Sequence, residues 1–199
     1  SQFGTLFDQL IATGALIIGL GNPSEQQIRL AVLFAPVVFG TLTLIPAYVI
    51  SRRVGGRFGG VLGTAVVAFA AGSLYQMGFV GSSDHHIAEG LFQAIAVLGV
   101  MVAVSVAQAE KPVYELLADR EFGVMRRTIG WSLLGGAAVG AYLLVWPPGV
   151  LLLGILGVFF VVYLSGVFLR GRSPEHVAIA GAISMTATGV IALSTVNTL

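Results

Sequence analysis

The chain has 199 residues, of which 56% are hydrophobic and only 10% are charged. Soluble domains usually carry about 25% charged residues, because their surfaces contact water. The chain contains no cysteine, which excludes disulfides, iron–sulfur clusters and thiolate metal sites. Its net charge is +1 and no face is basic, so nucleic-acid binding has no electrostatic support.

Five or six long apolar runs with few charges predict membrane spans. About 18 apolar residues suffice for a helix to cross the hydrocarbon core, and lipid requires the backbone to satisfy its own hydrogen bonds. The runs cover residues 28–50, 58–77, 87–109, 129–146, 150–169 and 177–199. A shorter apolar stretch, residues 5–20, is interrupted by Asp8 and Gln9 and is predicted to be an interfacial helix. The predicted fold class is therefore all-α, with residues 1–199 forming part of one polytopic membrane helical bundle.

The basic residues predict the orientation of these spans, because lysine and arginine near span ends favour the cytoplasmic side. Nine of the ten basic residues lie in three alternate loops: Arg52, Arg53 and Arg57; Lys111, Arg120, Arg126 and Arg127; and Arg170 and Arg172. The loops at residues 81–86 and 147–149 contain none, and so are predicted to face outward together with the helix at residues 5–20.

Two pairs of glycines at four-residue spacing lie within the predicted spans. Gly59 and Gly63 form the first pair, and Gly136 and Gly140 form the second. Small residues one helical turn apart let membrane helices approach closely, so both pairs predict close helix packing.

The chemical signal is concentrated in the first outward loop and the helix that follows it. Asp84, His85, His86 and Glu89 lie within six positions, and ionisable residues at a membrane boundary indicate function. Carboxylate and imidazole groups are suited to bind a divalent metal such as manganese or magnesium. In an extended chain residues i and i+2 point to the same side, so Asp84 and His86 could share a metal while His85 points elsewhere. The amino end of the next helix favours a phosphate.

The same residues also have structural interpretations. Asp84 is suited to cap the helix that follows, with both histidines solvated at the interface. Glu89, one turn after His86, is either a hydrogen-bond partner that orients His86 or a surface residue. Trp146, which precedes Pro147-Pro148-Gly149, is on composition alone an interfacial anchor.

Four segments carry a family resemblance: residues 3–8, 40–46, 51–57 and 81–89. They resemble the archaeal oligosaccharyltransferases of the STT3 type, most specifically at Asp84-His85-His86. The use of one lysine against nine arginines resembles halophilic members. The resemblance implies a transmembrane domain of the GT-C class in the cell membrane. It also implies transfer of an oligosaccharide from a dolichol phosphate or diphosphate carrier to asparagine in Asn-X-Ser/Thr sequons, on the extracytoplasmic face.

The resemblance also implies roles for individual residues. Asp84 and His86 would be catalytic ligands of Mn²⁺ or Mg²⁺, with His86 in place of the second acid of an Asp-x-Asp motif. His85 and Trp146 would lie near the phosphate of the lipid carrier. The implied partners are a dolichol-linked glycan, an acceptor protein with a sequon, and membrane lipid.

The family pattern has parts that this sequence does not contain. A first acidic motif is expected before residue 1. A further acidic loop, the sequon pocket and a soluble domain are expected after residue 199. The isolated chain is therefore expected to be inactive in transfer.

Two other functions remain open at this point. One is a different GT-C glycosyltransferase that uses a lipid-phosphate sugar. The other is a transporter or channel with an external His/Asp metal site. A transporter is expected to place charged residues inside its spans, and the interiors of these spans contain none, which counts against it.

The predicted orientation can be tested with single cysteines, because the chain has none of its own. Ser82→Cys should react with a membrane-impermeant thiol reagent applied to intact cells, whereas Ser51→Cys should not. Labelling after detergent treatment serves as the control for both variants. The reverse pattern in intact cells would overturn the orientation.

Overall fold

Helices account for most of the chain in a computed structural model that describes residues 5–69, 78–81, 84–108 and 122–196. The described helices are α1 (Thr5–Ile18), α2 (Glu25–Phe69), α3 (His86–Gln108), α4 (Phe122–Val145), α5 (Val150–Leu169) and α6 (Glu175–Val196). A 3-10 turn, Pro147–Gly149, connects α4 to α5. These residues contain no strand, and the predicted all-α class is confirmed. Residues 70–77, 109 and 197–199 of the predicted spans, and the basic residues Lys111 and Arg120, lie outside the described residues.

Five of the described helices, α2 to α6, are long and apolar enough to cross a membrane. Many large apolar side chains on them are exposed; in α5, for example, Leu151, Val158 and Val161 are 69%, 65% and 67% exposed. Apolar surface on this scale indicates contact with lipid. The apolar part of α1, Leu6–Ile18, is shorter, and at about 1.5 Å per residue it cannot cross a hydrocarbon core of about 30 Å. The chain is thus a multi-pass membrane protein.

The first two predicted spans lie on either side of a sharp turn within α2. The turn consists of Gly55 and Gly56, whose backbone angles are not helical, and Gly56 has a positive φ of 67° that favours glycine. A Cβ added at Gly59 would lie 3.1 Å from the carbonyl oxygen of Ser51, and one at Gly63 would meet the Ser51 side chain. The close approach predicted at this glycine pair is confirmed, and it joins the two arms of α2 next to their turn.

One compact unit is formed by Ser1–Ile95 together with Leu144–Trp146. The rings of Phe7 in α1 and Phe39 in α2 have centroids 5.8 Å apart, and Ile87 and Ala88 at the start of α3 are fully buried among them. We call this cluster the Ile87 core; its buried members are Phe7, Ala35, Phe39, Ile87, Ala88, Leu91 and Val145. The residues that directly follow His86 are therefore anchored by apolar packing.

The second compact unit is formed by Ala96–Leu143 and Pro147–Leu199, and in it α4 packs closely on α6. A Cβ added at Gly136 would lie 2.8 Å from the Cβ of Ala187. The Ser184 hydroxyl donates to the carbonyl of Ser132, and the Thr188 hydroxyl donates to the carbonyl of Gly136, both at 2.9 Å. Close approach at Gly136 and Gly140 is confirmed, because a Cβ at Gly140 would overlap a side chain of α6. Small residues and interhelical hydrogen bonds commonly stabilise membrane helix pairs in this way.

Gly136→Ala should destabilise this helix pair by about 1–3 kcal/mol, because the added methyl group has to displace backbone and side chain of α6. Gly130→Ala in the same helix is the matched control, since a Cβ there meets nothing within 4 Å. That control should be neutral or slightly stabilising. Thermal unfolding in detergent micelles measures both effects. Equal unfolding midpoints for the two variants would contradict the close packing.

Candidate functional site

Helix α3 begins at the Asp84-His85-His86 motif, where Asp84 caps its amino end. The Asp84 carboxylate oxygen Oδ1 accepts a hydrogen bond from the backbone N–H of His86 at 3.1 Å. The N–H of Ile87 donates to the carbonyl of Asp84, and the N–H of Glu89 donates to the carbonyl of His85. The first N–H groups of a helix have no partner within it, and an aspartate at this position supplies one. The capping interpretation of Asp84 is therefore confirmed.

Gly81 holds the segment that precedes the motif. Its φ of +86° lies in the region that favours glycine. Its N–H donates to the carbonyl of Leu33 in α2 at 3.1 Å, and a Cβ on Gly81 would lie 3.5 Å from Leu33 Cδ2. The motif is thus connected to α2 three residues before Asp84. Ser82 and Ser83 lie outside the described residues.

Asp84, His85 and His86 bring one ligand atom each to within 4.8 Å of the others. The His85 Nδ1 atom is 3.2 Å from Asp84 Oδ1. The two imidazole rings have centroids 4.2 Å apart and are tilted by 33°. The expectation that His85 points away from its neighbours is wrong in this structure. The reason is local: the backbone already follows the first helical turn at His85, so the extended alternation of side chains does not apply.

Glu89 and His86 contact each other across the first turn of α3. The His86 Nδ1 and Glu89 Oε2 atoms are 2.7 Å apart. The His86 side chain is 41% exposed and that of Glu89 only 18% exposed. Residues three apart lie on the same face of a helix, which accounts for the pairing. Glu89 thus contacts His86, as one of its two interpretations requires, and its role in orienting His86 toward a metal stays a prediction.

The donor set of the motif fits a divalent cation. Carboxylate oxygen and imidazole nitrogen bind such ions at about 2.0–2.2 Å, which puts two ligands of one ion at most about 4.4 Å apart. The ligand atoms of the motif all lie within 4.8 Å of one another, close to that spacing. Asp84 and His86, the two predicted metal ligands, are thus close enough to act together.

Trp146 lies on the same core as the start of α3. It follows Val145, the fully buried last residue of α4, and is itself partly buried. Its side chain packs against the Ile87 core, which contains Ile87 and Ala88 immediately after His86. The structure therefore brings Trp146 and the motif, 60 positions apart in sequence, to one part of the first unit.

An apolar groove opens beside the first turn of α3, and the sequence alone did not indicate it. Ile87 forms one wall of the groove, directly after His86. The one sequence feature that could have pointed to the groove is the glycine at position 40. In the structure, a Cβ added at Gly40 would lie 3.5 Å from Ile87 Cδ1. The lining residues come from both arms of α2, the segment before Gly81, and α3: Val37, Gly40, Thr41, Leu44, Val67, Ala68, Gly78, Phe79 and Ile87.

Gly81→Ala should weaken metal binding at the motif, because a side chain at positive φ costs about 1–2 kcal/mol and would disturb the hydrogen bond to Leu33. An equivalent loss of binding free energy lowers metal affinity about tenfold. Gly21→Ala is the matched control, since Gly21 has a φ of +93° and a Cβ there meets nothing within 4 Å. Both variants should lower the unfolding midpoint, but only Gly81→Ala should change a manganese titration. Equal metal affinity in the two variants would contradict this role of Gly81.

Comparison with known proteins relates nearly the whole chain to one family. The family model described as "Oligosaccharyl transferase STT3, N-terminal" matches residues 1–198. The dolichyl-monophosphooligosaccharide–protein glycotransferase AglB of Haloferax volcanii is 50% identical over 190 residues, which are 96% of this chain and 18% of that protein. The dolichyl-phosphooligosaccharide-protein glycotransferase 3 of Archaeoglobus fulgidus is 23% identical over 172 residues, 85% of this chain and 19% of that protein.

Solved structures show the same fold. The oligosaccharyltransferase AglB of Archaeoglobus fulgidus, in complex with an inhibitory peptide and a dolichol-phosphate, has a TM-score of 0.78 at 21% identity, over 98% of this chain and 21% of that one. The Archaeoglobus fulgidus oligosaccharyltransferase in complex with Zn and sulfate has a TM-score of 0.79 at 22% identity, over 98% of this chain and 23% of that one. This chain spans about a fifth of the length of the curated relatives that it matches. Because the family model covers residues 1–198, the chain belongs to the STT3 oligosaccharyl transferase family.

Proposed function

We propose that this chain takes part in protein N-glycosylation, the transfer of an oligosaccharide from a dolichol-(di)phosphate carrier to asparagine in Asn-X-Ser/Thr sequons. The observation that carries the proposal is the cluster of Asp84, His85 and His86 at the start of α3 in a member of the STT3 family. The names of the relatives agree with it. The Haloferax volcanii protein is named for a dolichyl-monophosphooligosaccharide donor, and an Archaeoglobus fulgidus structure holds an acceptor peptide with an NVT sequon.

In this proposal Asp84 and His86 hold the metal, with Mn²⁺ or Mg²⁺ as the ion in the working enzyme. The donor set of one carboxylate and one or two imidazoles supports the assignment, as does the Zn and sulfate complex of the Archaeoglobus fulgidus relative. When bound, such an ion supplies Lewis-acid stabilisation of the charge that develops on the leaving phosphate. Asp84 orients its own carboxylate by capping α3, so the ligand is held in place before any substrate arrives.

His85 and Trp146 are proposed to contact the lipid carrier near its phosphate. His85 lies between the two proposed ligands, 17% exposed, at the amino end of α3 where the helix dipole favours an anion. The neighbouring groove suits the apolar part of such a carrier, because its walls are mainly aliphatic and glycine residues. A polar cluster joined to an apolar groove at Ile87 matches the amphiphilic character of a dolichol-linked phosphate.

The motif is proposed to face the extracytoplasmic side of the cell membrane. The basic turn of α2, with Arg52, Arg53 and Arg57, lies one apolar span before the motif, and the positive-inside preference puts it in the cytoplasm. The acceptor asparagine would then be glycosylated outside the cytoplasm.

The alternative of a transporter with an external metal site receives little support from the described spans. Their buried polar side chains are hydroxyls, and those of Thr43, Ser132, Ser184 and Thr188 donate to helix carbonyls. They therefore serve helix packing and do not line a polar pathway. A different GT-C transferase with a lipid-phosphate sugar would use the same metal and groove, and only its acceptor distinguishes it.

Asp84→Asn in the complete enzyme should lower transfer of a lipid-linked glycan to a sequon peptide by more than about 100-fold. Asparagine caps a helix as well as aspartate does, so the variant should fold normally while losing the charged ligand. His86→Ala should have a similar effect, and higher manganese should restore part of the activity. Loss of the hydrogen-bond partner of a metal ligand typically lowers metal affinity or activity about 10–100-fold, and loss of the ligand itself should lower them at least as much.

The matched control is Asp8→Asn, which removes an exposed carboxylate from the first turn of α1 in the same unit. Its transfer rate should stay within about twofold of the wild type, as expected for a surface substitution worth less than about 0.5 kcal/mol. Near-normal transfer by Asp84→Asn and His86→Ala would remove the motif from the catalytic site. Transfer to a lipid or sugar acceptor in place of the sequon peptide would support the other GT-C function.

A further inference from the structure

We propose that Glu89 is a positioning residue that holds His86 in the tautomer with its proton on Nδ1, so that Nε2 is the atom that binds the metal. The inference rests on the proposed function, in which Asp84 and His86 are metal ligands. It goes further because it assigns the ligand atom of each residue and the carboxylate that determines one of them.

The contact between Glu89 and His86 is the observation from which we infer the position of the proton. Glu89 Oε2 and His86 Nδ1 are 2.7 Å apart, which is short for a hydrogen bond between nitrogen and oxygen and typical of one to a charged group. An ionised carboxylate can only accept, so the proton of this bond lies on Nδ1. A neutral imidazole with its proton on Nδ1 carries its lone pair on Nε2, the nitrogen that then binds a metal.

The backbone of α3 holds Glu89 rigidly enough for this role. Its N–H donates to the carbonyl of His85 at 2.9 Å. It lies between Ala88, which is fully buried, and Leu91, which is 5% exposed, in the Ile87 core. The carboxylate is therefore presented by the first turn of a packed helix, and its 18% exposure limits competition from water.

The two carboxylate oxygens of Asp84 also have different roles. Its Oδ1 accepts the N–H of His86 and lies 3.2 Å from His85 Nδ1. Its Oδ2 makes no such bond within the described residues, and so is the oxygen that can face a cation. Because Asp84 Oδ1 and His86 Nδ1 already make these contacts, the proposal assigns Asp84 Oδ2 and His86 Nε2 as the two ligand atoms.

The expected effect is large enough to measure. A metal-binding histidine whose second nitrogen loses its carboxylate partner typically binds the metal about 10–100-fold more weakly. Glu89→Ala should therefore weaken manganese binding to the purified protein by about that factor. Glu89→Gln keeps an acceptor oxygen without the charge, and should fall between Glu89→Ala and the wild type. A competition titration against a coloured chelator gives these affinities without any transfer assay.

Glu25→Gln is the matched control, because Glu25 is also the acidic residue in the first turn of its helix. It pairs with Arg29 and not with a histidine, and 81% of its side chain is exposed. Glu89→Gln and Glu25→Gln each remove a negative charge from the amino end of a helix, so their effects on helix stability should be alike. Glu25→Gln should leave manganese affinity within about twofold of the wild type, well below the 10–100-fold effect of losing a metal-supporting partner. A merely structural Glu89 would lower the unfolding midpoint of the metal-free protein and leave metal affinity unchanged.

Nitrogen-15 spectra of the metal-free protein provide a second readout. The His86 signals are identified by their loss in His86→Ala. In the wild type they should show Nδ1 protonated, and in Glu89→Ala the Nε2-protonated form should become populated. A wild-type signal from Nε2-protonated His86 would overturn the inference.

The outcomes separate the inference from the proposed function. If Asp84→Asn and His86→Ala lose metal while Glu89→Ala binds it as the wild type does, the role of Glu89 is wrong and the metal site stands. If Asp84→Asn and His86→Ala also bind manganese normally, the proposed metal site fails and the inference fails with it.

Discussion

The amino end of α3 has to satisfy its own N–H groups at the edge of an apolar phase, and the site follows from that requirement. Lipid offers no hydrogen bonds to a backbone, and the first N–H groups of a helix have no partner within it. Asp84 meets the need by accepting the N–H of His86. Capping and metal binding were separate interpretations of this residue. They are compatible because the cap uses Oδ1 and leaves the second carboxylate oxygen to a cation.

The positions of the side chains at this site depend on the contacts of the neighbouring residues. A metal site works only when its ligands are held by rigid elements and supported by further hydrogen bonds. Ile87 and Ala88 are buried immediately after the motif, Gly81 is bonded to Leu33 before it, and Glu89 contacts His86 from the next turn. The motif is thus only partly buried, while Gly81 before it and Ile87 and Ala88 after it are held by contacts with the rest of the first unit.

The buried polar groups of the second unit are hydroxyls that take part in helix packing. Ser184 and Thr188 are buried, but their hydroxyls donate to carbonyls of α4, where Gly136 allows the backbones to approach. Hydroxyl groups used this way stabilise a helix pair at little desolvation cost. The buried polar residues of the described spans carry no charge. The ionisable residues Asp84, His85, His86 and Glu89 are instead grouped at the start of α3.

The amino-acid sequence by itself determined the all-α membrane class, the family, the close approach at Gly136 and the motif proposed to carry the chemistry. These follow from local composition and spacing, since apolar length, glycine period and a cluster of ligand types are visible along the chain. Only the tertiary structure decided that His85 lies beside Asp84, that Glu89 bonds to His86, and that Trp146 packs on the core beneath the motif. The direction of a side chain depends on the residue at which a helix begins. Contacts between distant residues depend on how helices pack, and neither is encoded in spacing alone.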